Sequence, residues 1–136
     1  MLLLPKAALL SLLLISADAL ANEQQCRANF KQTGSFLMGR TFSSWEEFPA
    51  ETQQALFKRI YADVAKSGLK IIHVDKEMGI LSAEQATTGG DGSAATLDFM
   101  LIVEPSAKGA KVTTTLKSPP GKALSQDAVF KAICSE

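Results

Sequence analysis

The chain has 136 residues, 46% of them apolar, with 14 basic side chains balancing 14 acidic ones, one His and two Cys. That length suits one small domain. The zero formal charge, with no basic run, speaks against nucleic acid as a partner, because such modules concentrate Lys and Arg to neutralise phosphates. A collagen repeat, a low-complexity chain and a dense disulfide scaffold are excluded by the same composition.

Residues 1–21, MLLLPKAALLSLLLISADALA, place Lys6 before an apolar stretch from Ala7 to Ile15 and finish on the small-residue exit Ala19-Leu20-Ala21. This is the pattern of a secretory signal peptide. The alternative, an N-terminal membrane anchor, needs about 20 apolar residues in succession. Cleavage after Ala21 leaves a single domain over 22–136, periplasmic or secreted, with no stable membrane insertion once the signal is removed. Cys26 follows Asn22-Glu23-Gln24-Gln25 instead of the small residues that approach an acylated Cys, so lipidation is not expected. Cys26 and Cys134 both lie in the exported part, where an oxidising compartment makes a disulfide the default; two independent thiols are the alternative.

In chain order, Phe36 to Phe42 reads as a first strand bulged at Gly39. Ser44-Trp45-Glu46-Glu47 has capping-box spacing and Pro49 suits a first helical turn, so a helix enters in this region. Glu46 and Glu47 would then complement its dipole. Leu56, Ile60 and Val64, widened by Phe57 and Tyr61, form the apolar stripe of that helix, and Gly68 stops it. Leu69 to Val74, a turn over Asp75 to Gly79, and Ile80 to Gln85 predict a β-hairpin. Thr87 to Ala95 holds Gly89-Gly90-Asp91-Gly92-Ser93, a flexible connection. Thr96 to Glu104 alternates with Leu97, Phe99, Leu101 and Val103 on one side, and Val112, Thr114 and Leu116 continue as the next strand. Ser125 caps a last helix whose apolar face is Val129, Phe130, Ile133 and Cys134. Short turns make neighbouring strands antiparallel. The expected fold is therefore α+β, two layers, an antiparallel sheet of four to five strands with two helices on one face.

The stretch from Ala65 through Gly68, Asp75 and Gly79 to Gln85 resembles a pattern in small bacterial envelope proteins, including helix-grip domains of outer-membrane assembly lipoproteins. The resemblance implies a non-enzymatic scaffolding or binding module. This chain departs from the lipoprotein members in having no lipid-acceptor Cys at the cleavage site.

Few residues suggest chemistry. His73 is the one histidine, with Asp75, Ser82 or Asp98 as candidate neighbours, but no spacing motif joins them. One His and two Cys at opposite ends do not make a zinc set. The Gly-rich segment lacks the Lys-Ser/Thr ending of a phosphate loop, and Asp91-Gly92-Ser93 does not follow a calcium-loop series. No metal and no cofactor are expected.

More informative is the second sheet face. With Val74 opposite Ile80, Lys70 falls opposite Glu84 and Ile72 opposite Ser82, while Leu69, Ile71, Leu81 and Ala83 share the core side. Ile72, Val74, Ile80, Met100 and Ile102 then form an apolar patch on the helix-free face, either exposed or covered by the segment Phe30 to Phe42. The expected function is a small exported binding or scaffolding module acting by contact with a protein partner or a second copy. The competing reading is a small hydrolase that uses His73 with a nearby carboxylate.

Overall fold

The structure, a computed structural model, describes residues 22–134. The expected signal peptide lies outside the described residues. A short helix, α1, spans residues 22–28. It is followed by β1 (Lys31–Ser35), β2 (Gly39–Pro49), α2 (Gln53–Lys66), β3 (Lys70–Asp75), β4 (Ile80–Thr88), β5 (Ala94–Pro105), β6 (Gly109–Ser118) and α3 (Gln126–Cys134). The six strands make one antiparallel sheet in the order β1-β2-β6-β5-β4-β3. The α+β class therefore holds, but the expected four to five strands are six, and three helices rather than two flank the sheet among the described residues.

The extra strand has a physical reason. Lys31-Gln32-Thr33-Gly34-Ser35 carries no apolar residue and is exposed throughout, so no periodicity announces it; pairing with β2 alone makes it a strand. Phe36, Leu37 and Met38 form the turn between β1 and β2, and Gly39 opens β2 at φ 100° instead of bulging a strand. The capping-box spacing at Ser44 is also overridden. Ser44 lies inside β2, almost fully buried, and its hydroxyl donates to the Cys26 carbonyl. Glu46 and Glu47 are strand residues, and α2 is capped by Thr52, whose hydroxyl accepts the Ala55 amide at 3.2 Å.

All three helices lie on one face. Leu56, Phe57 and Val64 of α2 pack on Phe48, Leu81, Val103, Ala110 and Val112, which point to the same side of β2, β4, β5 and β6. Val129 and Ile133 of α3, with Cys26 of α1, pack on Phe42, Leu97, Phe99 and Leu116. Leu69 and Leu101 touch both clusters and make them one core. Gly68, at φ 87°, lets the chain reverse after α2 so that Leu69 returns to the sheet. A disulfide joins Cys26 to Cys134, with Cα atoms 5.5 Å apart, and ties α1 to the end of α3.

The remaining free edge of β2 is closed by α1. β1 pairs only with Gly39 to Ser43. Beyond it, the Glu47 amide donates to Gln25 Oε1 at 2.7 Å, and Asn29 Nδ2 donates to the Trp45 carbonyl at 3.1 Å. Two side chains thus replace the missing strand, which keeps a long edge from templating other chains.

Candidate functional site

The helix-free face is built by strand alternation. Because Leu81, Phe99, Val103, Val112 and Leu116 face the helices, their neighbours Ile80, Ser82, Met100, Ile102, Thr113 and Thr115 face outward. Cross-strand register sets Ile80 beside Ile102, Ile102 beside Thr113, and Thr113 beside Trp45. A parallel row runs Ser82, Met100, Thr115 and Ser43. The apolar strip is bordered on one side by Lys70, Glu84, Asp98 and Lys117 in successive strands, and on the other by Glu104, Lys111 and Glu47. Lys70 Nζ lies 3.9 Å from the Glu84 carboxylate, an exposed pair worth little to stability.

Of the residues expected there, Ile72, Ile80, Met100 and Ile102 are on this face, and Val74 is not. A bulge between Ile71 and His73 shifts the register so that Val74 pairs with Leu81 and packs on the helix side; Asp75, not Val74, stands opposite Ile80. The extra residue is Ile72, which is 53% exposed; Met100 is 43% exposed. Both line a shallow concavity of about 290 Å³ together with Ser82, Glu84, Asp98 and Lys117. The segment Phe30 to Phe42 does not cover it. Phe30 packs against Phe130 and Phe42 in the core, and β1 extends the sheet sideways.

Trp45 belongs to the same face, and sequence reasoning missed it by assigning Ser44 to Glu47 to a helix entry. Lys111 Nζ sits 4.7 Å from the centre of the Trp45 ring, a cation–π contact at the end of the apolar row. The available signal was the alternation of Phe42, Ser44 and Phe48 inward against Thr41, Ser43 and Trp45 outward.

His73 is exposed and stands opposite Ser82. Neither aspartate named beside it orients the imidazole. Asp75 accepts the Met78 amide at 3.0 Å inside the β3–β4 turn, and Asp98 accepts the Thr96 hydroxyl at 2.8 Å. Among the described residues no group of three or more His, Cys, Asp or Glu is placed to hold a metal ion.

The Gly-rich segment is a built loop. The Gly89 amide donates to Ser93 O, Gly90 to Pro120 O, and Gly92 to Gly89 O. The Ser93 amide and hydroxyl both donate to Asp91 Oδ1, at 3.0 and 2.6 Å. With those amides committed internally, the loop offers no cradle for a phosphate. The Ser93 hydroxyl, then its amide, hold the Asp91 carboxyl below the usual carboxylate range.

Compared with models of protein families, the chain matches none. A comparison with curated proteins likewise gives no match. Among the described residues, no helix is long and apolar enough to cross a membrane.

Proposed function

We propose that this protein is an exported, non-enzymatic binding module that makes protein contact through its helix-free sheet face, with a second copy as the simplest partner. The observation that carries the reading is the exposure of Ile72 and Met100 at the centre of that face. Ile80, Ile102 and Trp45 extend the apolar strip, and charges border it on both sides, as the core and rim of a protein interface do. A monomer gains little from apolar side chains aligned mid-strand in water. The likeness of residues 65–85 to scaffolding domains of envelope lipoproteins supports the same reading.

Replacing Ile72 and Met100 together with Lys tests it. Both are surface residues, so the double variant is expected to fold with a change in stability within about 1 kcal/mol and to lose dimer formation in sedimentation equilibrium. Unfolding without any change in association, or a wild-type protein that stays monomeric and captures nothing from the native envelope, would withdraw the proposal.

Export is tested separately by the intact mass of protein recovered from outside the cytoplasm. The expected product begins at Asn22 and carries no alkylatable thiol. Retention of residues 1–21 in that product would overturn cleavage, and recovery from the cytoplasm alone would overturn export.

A further inference from the structure

The β1–β2 turn holds three consecutive apolar side chains out to water: Phe36 is 48% exposed, Leu37 77% and Met38 82%. Tight turns ordinarily use Gly, Asn, Asp or Ser, which supply the backbone geometry or local hydrogen bonds. Here those residues flank the apex and fix it. Gly34 and Gly39 sit at φ 83° and 100°, and a Cβ on Gly34 would lie 2.2 Å from the Gly39 carbonyl oxygen. The Met38 amide donates to Ser35 Oγ at 3.1 Å, and the Phe36 carbonyl accepts the Gly121 amide at 2.7 Å. Arg40 stands 6.0 Å from the Phe36 ring centre and donates to the Lys122 carbonyl at 3.1 Å. The backbone of the apex is thus hydrogen-bonded on both sides, to Ser35 and to Gly121.

Among the described residues, none covers it. Phe36 and Leu37 form one wall of an open concavity of about 630 Å³ whose other walls are the Gly89–Ser93 loop and Pro119 to Gly121, mostly Gly and Pro. Arg40, half-buried against the Phe36 and Phe42 rings, stands at the base of the apex and donates to the backbone carbonyl of Lys122, which sets that residue beside it; Asp91, on the same rim, accepts two hydrogen bonds from Ser93 and keeps its negative charge.

We propose that this apex docks the protein reversibly on an anionic lipid surface, with Phe36, Leu37 and Met38 entering the interface and Arg40 and Lys122 meeting the headgroups. Two features favour a lipid surface over a protein groove. Three side chains at one tip present only about a few hundred Å², less than the ~600 Å² that each partner contributes to a small stable protein interface. A bilayer also closes around a convex projection and adds headgroup attraction to the flanking cations. This proposal rests on the turn and is independent of the sheet face.

The test is co-sedimentation of the purified protein with phosphatidylglycerol-containing vesicles and with pure phosphatidylcholine vesicles, for the wild type and for Leu37→Glu with Met38→Glu. The wild type is expected to sediment with the anionic vesicles and to be released by salt; the double variant partitions about tenfold or more weakly. A separate Leu37→Trp variant is expected to shift its emission to the blue on anionic vesicles, relative to the Trp45 background of the wild type. That arm reads the apex even if the double variant fails to fold. No sedimentation of the wild type, equal sedimentation of the wild type and a folded double variant, equal binding to neutral and anionic vesicles, or unchanged Leu37→Trp emission would each overturn the proposal. Capture of the apex by a protein and not by vesicles would also overturn it.

Discussion

Replacing Cys26 and Cys134 together with Ala is expected to lower the unfolding free energy by about 3 to 5 kcal/mol and the midpoint of thermal unfolding by roughly 15 °C or more. The bond spans a sequence separation of 108 residues, nearly the whole described chain. Closing a loop that long removes about 4 to 5 kcal/mol of freedom from the unfolded state in the chain-entropy description. The two sulfurs are also packed core. Cys26 and Cys134 are 2% and 3% exposed, between Phe42, Val129 and Ile133. α1 depends on this bond more than any other element, since seven residues make a marginal helix even with the Glu23–Arg27 ion pair at 3.2 Å. Loosening α1 would withdraw Gln25 and Asn29 from the edge of β2. Urea unfolding of the oxidised, reduced and double-Ala forms checks this. Equal midpoints for the oxidised and reduced forms, or native-state labelling of two thiols, would refute the stabilising role.

Leu81→Ala is the second large effect, a loss of about 3 to 4 kcal/mol. Leu81 is 1% exposed and stands between its cross-strand neighbours Val74 and Leu101, under α2. The close-packed core cannot collapse there without moving the sheet, so both the transfer energy and a cavity are charged to the substitution. The adjacent Ile80→Ala, on the opposite face, is expected to cost about 1 kcal/mol or less in the monomer. The same comparison on β3 tests the bulge. Val74→Ala should destabilise more than Ile72→Ala, because the register shift sends Val74 to the helix side and leaves Ile72 in solvent. Uninterrupted alternation from Lys70 to Asp75 would put both on one face and make the two losses alike. Denaturant midpoints for the four variants distinguish the arrangements.

Strong periodicity and local chemistry made much of this protein legible from the sequence by itself. Leu56, Ile60 and Val64 determine the buried stripe of α2; Leu97, Phe99, Leu101 and Val103 determine the helix side of β5; Gly68 and Ser125 determine where α2 stops and α3 starts. Each such signal lies within one segment and concerns apolar burial or a cap. The pairing of Cys26 with Cys134 was expected from their number and from the oxidising destination that the N-terminal pattern predicts, and the structure joins them.

Tertiary structure decided what one segment cannot specify. β1 is a strand because β2 offers it a hydrogen-bonding edge, although its five residues have no apolar pattern. Ser44 to Glu47 obey their neighbours Thr114 to Lys111 across β6 rather than their own capping-box spacing, since an extended ladder with a buried Phe at each end outweighs one local cap. The composition of the outer face changed for the same reason. Alternation predicts faces only while pairing is unbroken, and a single inserted residue at Ile72 moved Val74 to the core, while the long β2 brought Trp45 onto the open face. Register is a property of two strands together, so their sequences read separately could not decide it.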